Sequence, residues 1–161
     1  MFKPQEEHMF EKVLYPTDFS EVSKKALGYI KKLKSAGLNQ VVVLRIIDQK
    51  KVENISNGVG WAGLGVAEFL KQTTQWLQEE AKKEMVPIES ELREAGIEVK
   101  VLVETGDPRT RIVQVAEEED VSAIVIGSHG RSNVSSVLLG SVATNVIHHS
   151  KRPVVVIKRD A

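Results

Sequence analysis

Apolar residues along the chain form two kinds of segment, short solid runs and longer stretches with a helical period. Lys12 to Tyr15 predicts a short strand closed by Pro16. Ser20 is a good N-cap for a helix whose Val22, Ala26, Ile30 and Leu33 share one face before Gly37 stops it. Val41 to Ile47 is β-branched and apolar apart from Arg45, the pattern of a strand buried on both faces. Residues 48–66 show no period, contain Gly58, Gly60, Gly63 and Gly65, and predict a long loop. From Glu68 to Ala95 a helical face runs through Phe69, Leu77, Met85, Ile88 and Leu92, with Pro87 expected to kink or interrupt it. Val99 to Val103 predicts a third strand, and Asp107-Pro108 opens a helix through Ala116. Glu117, Glu118 and Glu119 carry the wrong sign for the end of that helix, which is expected to fray. Ala123 to Ile126 runs as a fourth strand into Gly127. Leu138, Leu139, Val142 and Val146 mark a further helix that ends near His148 and His149, and Pro153 to Ile157 is the fifth strand.

Solid rather than alternating strands, separated by helices, predict an α/β doubly wound, Rossmann-like domain with a five-stranded parallel sheet and four main helices. The strand order expected is 3-2-1-4-5. A length of 161 residues suits one domain over 1–161, with 1–10 as a flexible tail. The 22 Lys and Arg balance 22 Asp and Glu, so no positive field is available for nucleic acid. The chain has no cysteine, which excludes disulfides, thiolate nucleophiles and zinc–thiolate sites. Its apolar runs are too short for a signal peptide or a membrane span, so a cytoplasmic location is expected.

Candidate chemistry concentrates after the fourth strand. Gly127-Ser128-His129-Gly130 is followed, after nine intervening residues, by Gly140-Ser141. Glycines between a buried strand and a helix let backbone approach a ligand, and the free N–H groups of the helix start attract anions. The Ser128 and Ser141 hydroxyls and the Arg131 guanidinium would add donors to phosphate oxygens. On spacing alone, the same glycines equally fit a chain turn and close helix packing. At the end of the first strand, Asp18 follows Tyr15-Pro16-Thr17, where ligands of open parallel sheets bind. A carboxylate there suits ribose hydroxyls or an exocyclic amine, or it bonds its own turn. Gly58-Val59-Gly60-Trp61-Ala62-Gly63 matches a dinucleotide fingerprint as a string but begins about ten residues after its strand, so it reads instead as a flap or a disordered loop. No Walker lysine motif, nucleophile elbow or helical His pair is present.

Together, Lys12 to Ser20, Ile124-Val125-Ile126-Gly127-Ser128-His129-Gly130 and Leu139-Gly140-Ser141-Val142 resemble the universal stress protein family over nearly the whole chain, with the glycine pattern of its ATP-binding members. The resemblance implies that Asp18 binds the adenosine portion in a pocket shaped by Pro16 and Thr17. Ile46 would offer backbone groups to adenine, Gly127 would lie near the ribose, and Ile126 would be a further residue of the nucleotide site. Gly130, Gly140, Ser141 and Val142 would hold the phosphates, with His129 and Arg131 close by. Mg²⁺ or Mn²⁺ is expected through the phosphates, its protein ligand unknown. The expected function is an ATP-binding stress-response regulator with at most weak hydrolysis. The alternatives are a slow ATPase or phosphotransferase using His129 or a residue supplied by a protein partner, and a dimeric protein-interaction module with an empty pocket. The last strand is expected to pair with its copy in a homodimer, and a proline at Val155 to break that pairing.

Overall fold

The computed structural model describes residues 9–59, 65–130 and 138–160. Five strands form one parallel sheet: β1 Lys12–Pro16, β2 Gln40–Asp48, β3 Glu98–Gly106, β4 Ala123–Gly127 and β5 Val154–Ile157. Their order is β3-β2-β1-β4-β5, as expected. β1 is central, and its Lys12 N–H donates to Ser122 Oγ at 3.0 Å across 110 residues of chain. Five α-helices are described: α1 Glu21–Lys32, α2 Gln49–Val59, α3 Val66–Glu94, α4 Pro108–Glu118 and α5 Ser141–His149.

Alternate residues of each strand feed two separate cores, as two-sided burial requires. Val13, Tyr15, Val41 and Val43 pack with Ala26 and Ile30 of α1 and with Met85, Ile88 and Leu92 of α3. Leu14, Val42, Leu44 and Ile46 pack on the opposite side with Ile112 and Val115 of α4 and Val146 of α5. Phe10, the last residue of the expected tail, packs against the first of these cores, and residues 1–8 lie outside the described residues. No helix among the described residues is long and apolar enough to cross a membrane.

Three local expectations are corrected. Much of the expected loop 48–66 is helix α2, a fifth helix where four main ones were expected. Among its residues of described burial the buried ones are Val52 and Ser56, and Ser56 Oγ donates to Val52 O at 2.9 Å, so a hydroxyl stands where an apolar period would have shown. Of the kink or interruption expected at Pro87, the interruption is excluded, since α3 continues through it as one helix. That residue is exposed, so the carbonyl it leaves without a helical donor faces water, while Met85 and Ile88 anchor the helix on either side. The acidic end of α4 is tied down rather than frayed. Glu118 pairs with Arg111, Glu119 with Lys12 and Lys100, and Glu117 with Arg152. Lys100 foremost, then Lys12, holds the Glu119 carboxyl below its ordinary range.

Candidate nucleotide site

Beyond Pro16 the chain turns through Thr17, Asp18 and Phe19 before Ser20 caps α1, its Oγ accepting the Ser23 N–H at 3.3 Å. The Thr17 N–H donates to Leu44 O at 2.8 Å, and its hydroxyl faces inward, 2.5 Å from Ser23 Oγ. Tyr15 OH donates to Ser23 O at 2.7 Å, and burial pushes this phenol above its ordinary pKa. Phe19 lies in the left-handed region at φ 62, unusual for a bulky residue. Thr17 Oγ1 accepts its N–H at 3.1 Å, and the Arg45 guanidinium sits 5.4 Å from its ring. This fixed turn presents Asp18, whose Oδ1 accepts the Ser20 N–H at 3.0 Å.

Asp18 and Gly130 meet across the gap between β1 and β4. A Cβ built on Gly130 would stand 2.7 Å from Asp18 Oδ2, so any side chain there must displace the carboxylate. Gly127 has a different reason to be glycine: its Cβ would fall 3.0 Å from Val22 Cγ1, where α1 crosses the end of β4. The Gly140 N–H donates to Ser128 O at 2.8 Å, and its Cβ would stand 3.2 Å from the same oxygen. Gly140 is the N-cap of α5 and offers no side chain to the first-turn N–H groups at Ser141 and Val142. Of the two glycine readings left open by spacing, packing accounts for Gly127, and close approach between loops accounts for Gly130 and Gly140.

Ile46 is placed by strand parity. Leu44 O faces β1, so the N–H and C=O of Ile46 face the same way, and the β1–β2 pairing has already ended at Pro16–Leu44. Ile46 therefore presents backbone groups over the end of β1. Ile126 is buried in β4 next to Gly127. Ser128 does not reach outward as expected. It is 1% exposed, its Oγ 2.8 Å from His129 Nδ1 and accepting the Arg159 N–H at 3.3 Å. Arg131, Trp61 and the glycine-rich string from Gly60 to Gly63 lie outside the described residues.

A cavity of about 160 Å³ opens beside Ser141 and Val142, lined also by Asp48, Lys50, Asp107 and Arg109. That is smaller than the roughly 300 Å³ at which ligand pockets begin, and it suits part of a ligand rather than a whole nucleotide. Lys50 and Arg109 are the cations that sequence reasoning missed; Lys50 was hidden in the supposed loop, and Arg109 follows a residue pair read only as a helix start. Asp107 Oδ1 caps α4 through the Arg109 N–H at 3.0 Å, and its Oδ2 accepts from Arg109 Nη2 at 2.6 Å. The Arg109 guanidinium holds the Asp107 carboxyl at about 2, below its ordinary 3.8. Among the described residues no three His, Asp or Glu side chains gather to hold a metal ion.

The parallel order β3-β2-β1-β4-β5, with helices on both faces and glycines gathered where the strand order reverses, makes this a doubly wound, Rossmann-like α/β protein. The chain belongs to the universal stress protein family, whose model matches residues 9–158. It is 42% identical over 156 residues to Universal stress protein MJ0577 of Methanocaldococcus jannaschii, covering 94% of this chain and 96% of that one. The solved structure of MJ0577 superposes with a TM-score of 0.82, covering 94% of this chain and 98% of that one. The fold is shared with the Archaeoglobus fulgidus universal stress protein solved in complex with dAMP, at 24% identity and a TM-score of 0.60 over 93% of this chain and 99% of that one. It is shared too with a universal stress protein solved in complex with cAMP, at 18% identity and a TM-score of 0.64 over 92% of this chain and 97% of that one.

Proposed function

We propose that this protein binds ATP and acts as a nucleotide-dependent regulator or switch in a stress response, with at most weak hydrolysis. The observation that carries the reading is the meeting of Asp18 with Gly130 in front of an α5 start that has no side-chain cap. A carboxylate just beyond the end of β1, where Ile46 presents its backbone, suits adenosine, and the Ser141 and Val142 N–H groups, which receive no side-chain cap, suit phosphates. The dAMP and cAMP complexes of proteins with this fold favour an adenine nucleotide. Mg²⁺ or Mn²⁺ would enter with the phosphates, which supply most of its ligands. The cytoplasm, where ATP is supplied, is the expected location. The purified protein, denatured, should release an adenine nucleotide identifiable by mass spectrometry. Gly130→Leu should keep the fold by circular dichroism yet lower MgATP affinity about 100-fold or more, since its side chain must displace Asp18 and fill the gap. Unchanged affinity in that variant would refute the site.

A homodimer through β5 belongs to the same proposal. β5 is an edge strand, and Val154, Val155 and Val156 are half-buried. Pro153 O and Ile157 O accept from β4 and its loop, so the backbone of Val155 faces β4 as well, while Val154 and Val156 face the open edge. The proline that tests dimerisation therefore belongs at Val156 rather than Val155. Val156→Pro should elute as a monomer at concentrations where the parent is a dimer; a dimer of unchanged affinity would point to another surface.

A further inference from the structure

Ser128 joins four parts of the molecule while being 1% exposed. Its N–H donates to Ile157 O at the end of β5, at 2.8 Å, and its carbonyl accepts the N–H of Gly140 ahead of α5. Its hydroxyl oxygen accepts the Arg159 N–H at 3.3 Å and lies 2.8 Å from His129 Nδ1. The hydroxyl carries one hydrogen, and among the described residues the acceptor within reach of it is that ring nitrogen. If Nδ1 were instead the donor, the serine hydrogen would be buried with no acceptor, the costlier arrangement. The hydroxyl therefore donates to Nδ1, and the ring hydrogen sits on Nε2.

His129 is 5% exposed, and Nε2 is the buried side-chain nitrogen that has no partner among the described residues. A buried N–H donor is rarely left unpaired in a folded protein, so the atom points to an acceptor that arrives with a ligand. His129 sits within the glycine cradle, its Cα 3.5 Å from where a Cβ on Gly140 would be, and Gly130 follows it directly. The acceptor that the cradle is suited to hold there is an anionic phosphate oxygen.

We propose that His129 donates through Nε2–H to a phosphate oxygen of the bound nucleotide, and that Ser128 is the positioning residue that fixes this tautomer. This rests on the nucleotide reading of the site and adds to it the direction of one hydrogen bond and the residue that sets it. Because Ser128 also bonds the chain on either side of Lys158, the donor state of the phosphate contact is tied to the end of β5.

Two substitutions separate the ring nitrogens. His129→Gln places an amide N–H near the Nε2 position, whereas His129→Asn keeps a group near Nδ1 and removes the Nε2 donor. His129→Asn should lose about tenfold or more in MgATP affinity while adenosine affinity holds, and His129→Gln should stay within about threefold of the parent. Ser128→Ala should show an intermediate loss that Ser128→Thr restores. ¹⁵N spectra of the unliganded parent should show His129 protonated at Nε2. Parent-like affinity in His129→Asn, equal losses in both histidine variants that extend to adenosine, or a ring protonated at Nδ1 alone would each overturn the proposal. If the parent binds no adenine nucleotide, the nucleotide reading falls separately. Inorganic triphosphate, titrated into the parent and His129→Asn, then decides the phosphate contact: weaker binding by the variant supports it, and equal or absent binding ends it.

Discussion

Helices α4 and α5 lie on the same face of the sheet and both begin at the carboxyl ends of its strands, yet their first turns are finished in opposite ways. α4 is closed by its own chain: Asp107 accepts from the Arg109 backbone and side chain, and Pro108 occupies the first turn without an N–H to satisfy. α5 starts from Gly140, which supplies no side-chain acceptor. A carboxylate at a helix start stabilises the isolated protein but repels an incoming phosphate, so the carboxyl end of the sheet holds one start closed by a carboxylate and one without a side-chain cap.

Closing the open start should have the largest effect. Gly140→Asp copies the α4 arrangement, and MgATP affinity should fall about 100-fold or more as the new carboxylate competes with the phosphates. Gly140→Ala, measured beside it by calorimetry, isolates the contribution of crowding against Ser128 O. Equal losses in the two would mean that charge is irrelevant at this helix start. Opening the closed start should do less. Asp107→Ala should cost about 1 kcal/mol in a urea titration. Acid should reproduce part of that loss. The Asp107 carboxyl is held at about 2 against an ordinary 3.8, so its stabilisation is complete above pH 3.8 and disappears as pH falls through 2. The acid arm of the parent's stability profile should accordingly be steeper than that of Asp107→Ala, and superimposable arms would show that the clamp contributes nothing.

The regular parts of the molecule were legible because each rests on several residues that agree. Strands β2 and β4 are nearly solid apolar runs, and Ser20 and Asp107-Pro108 mark helix starts through side-chain chemistry that acts within three residues. The glycine spacing was legible too, but only contacts assign its parts: Gly127 faces Val22, whereas Gly130 faces Asp18. What escaped was decided between distant segments. The buried residues described in α2 are Val52 and Ser56, and no window along the chain registers that pair as a period. The acids ending α4 find Lys12, Lys100 and Arg152 on other elements. The inward turn of the Ser128 hydroxyl depends on Arg159, 31 residues away.

The central position of β1 has a consequence for the way this protein is made. One side of β1 is covered as soon as β2 emerges, but the other waits for β4, and the Lys12–Ser122 bond spans 110 residues. At roughly 5–20 residues per second, that flank of Val13 and Leu14 is without its partner strand for about 5–20 s of synthesis. An apolar strand edge open for that long is a target for nascent-chain chaperones, so the earliest demand this protein makes on the cell precedes its first encounter with a ligand.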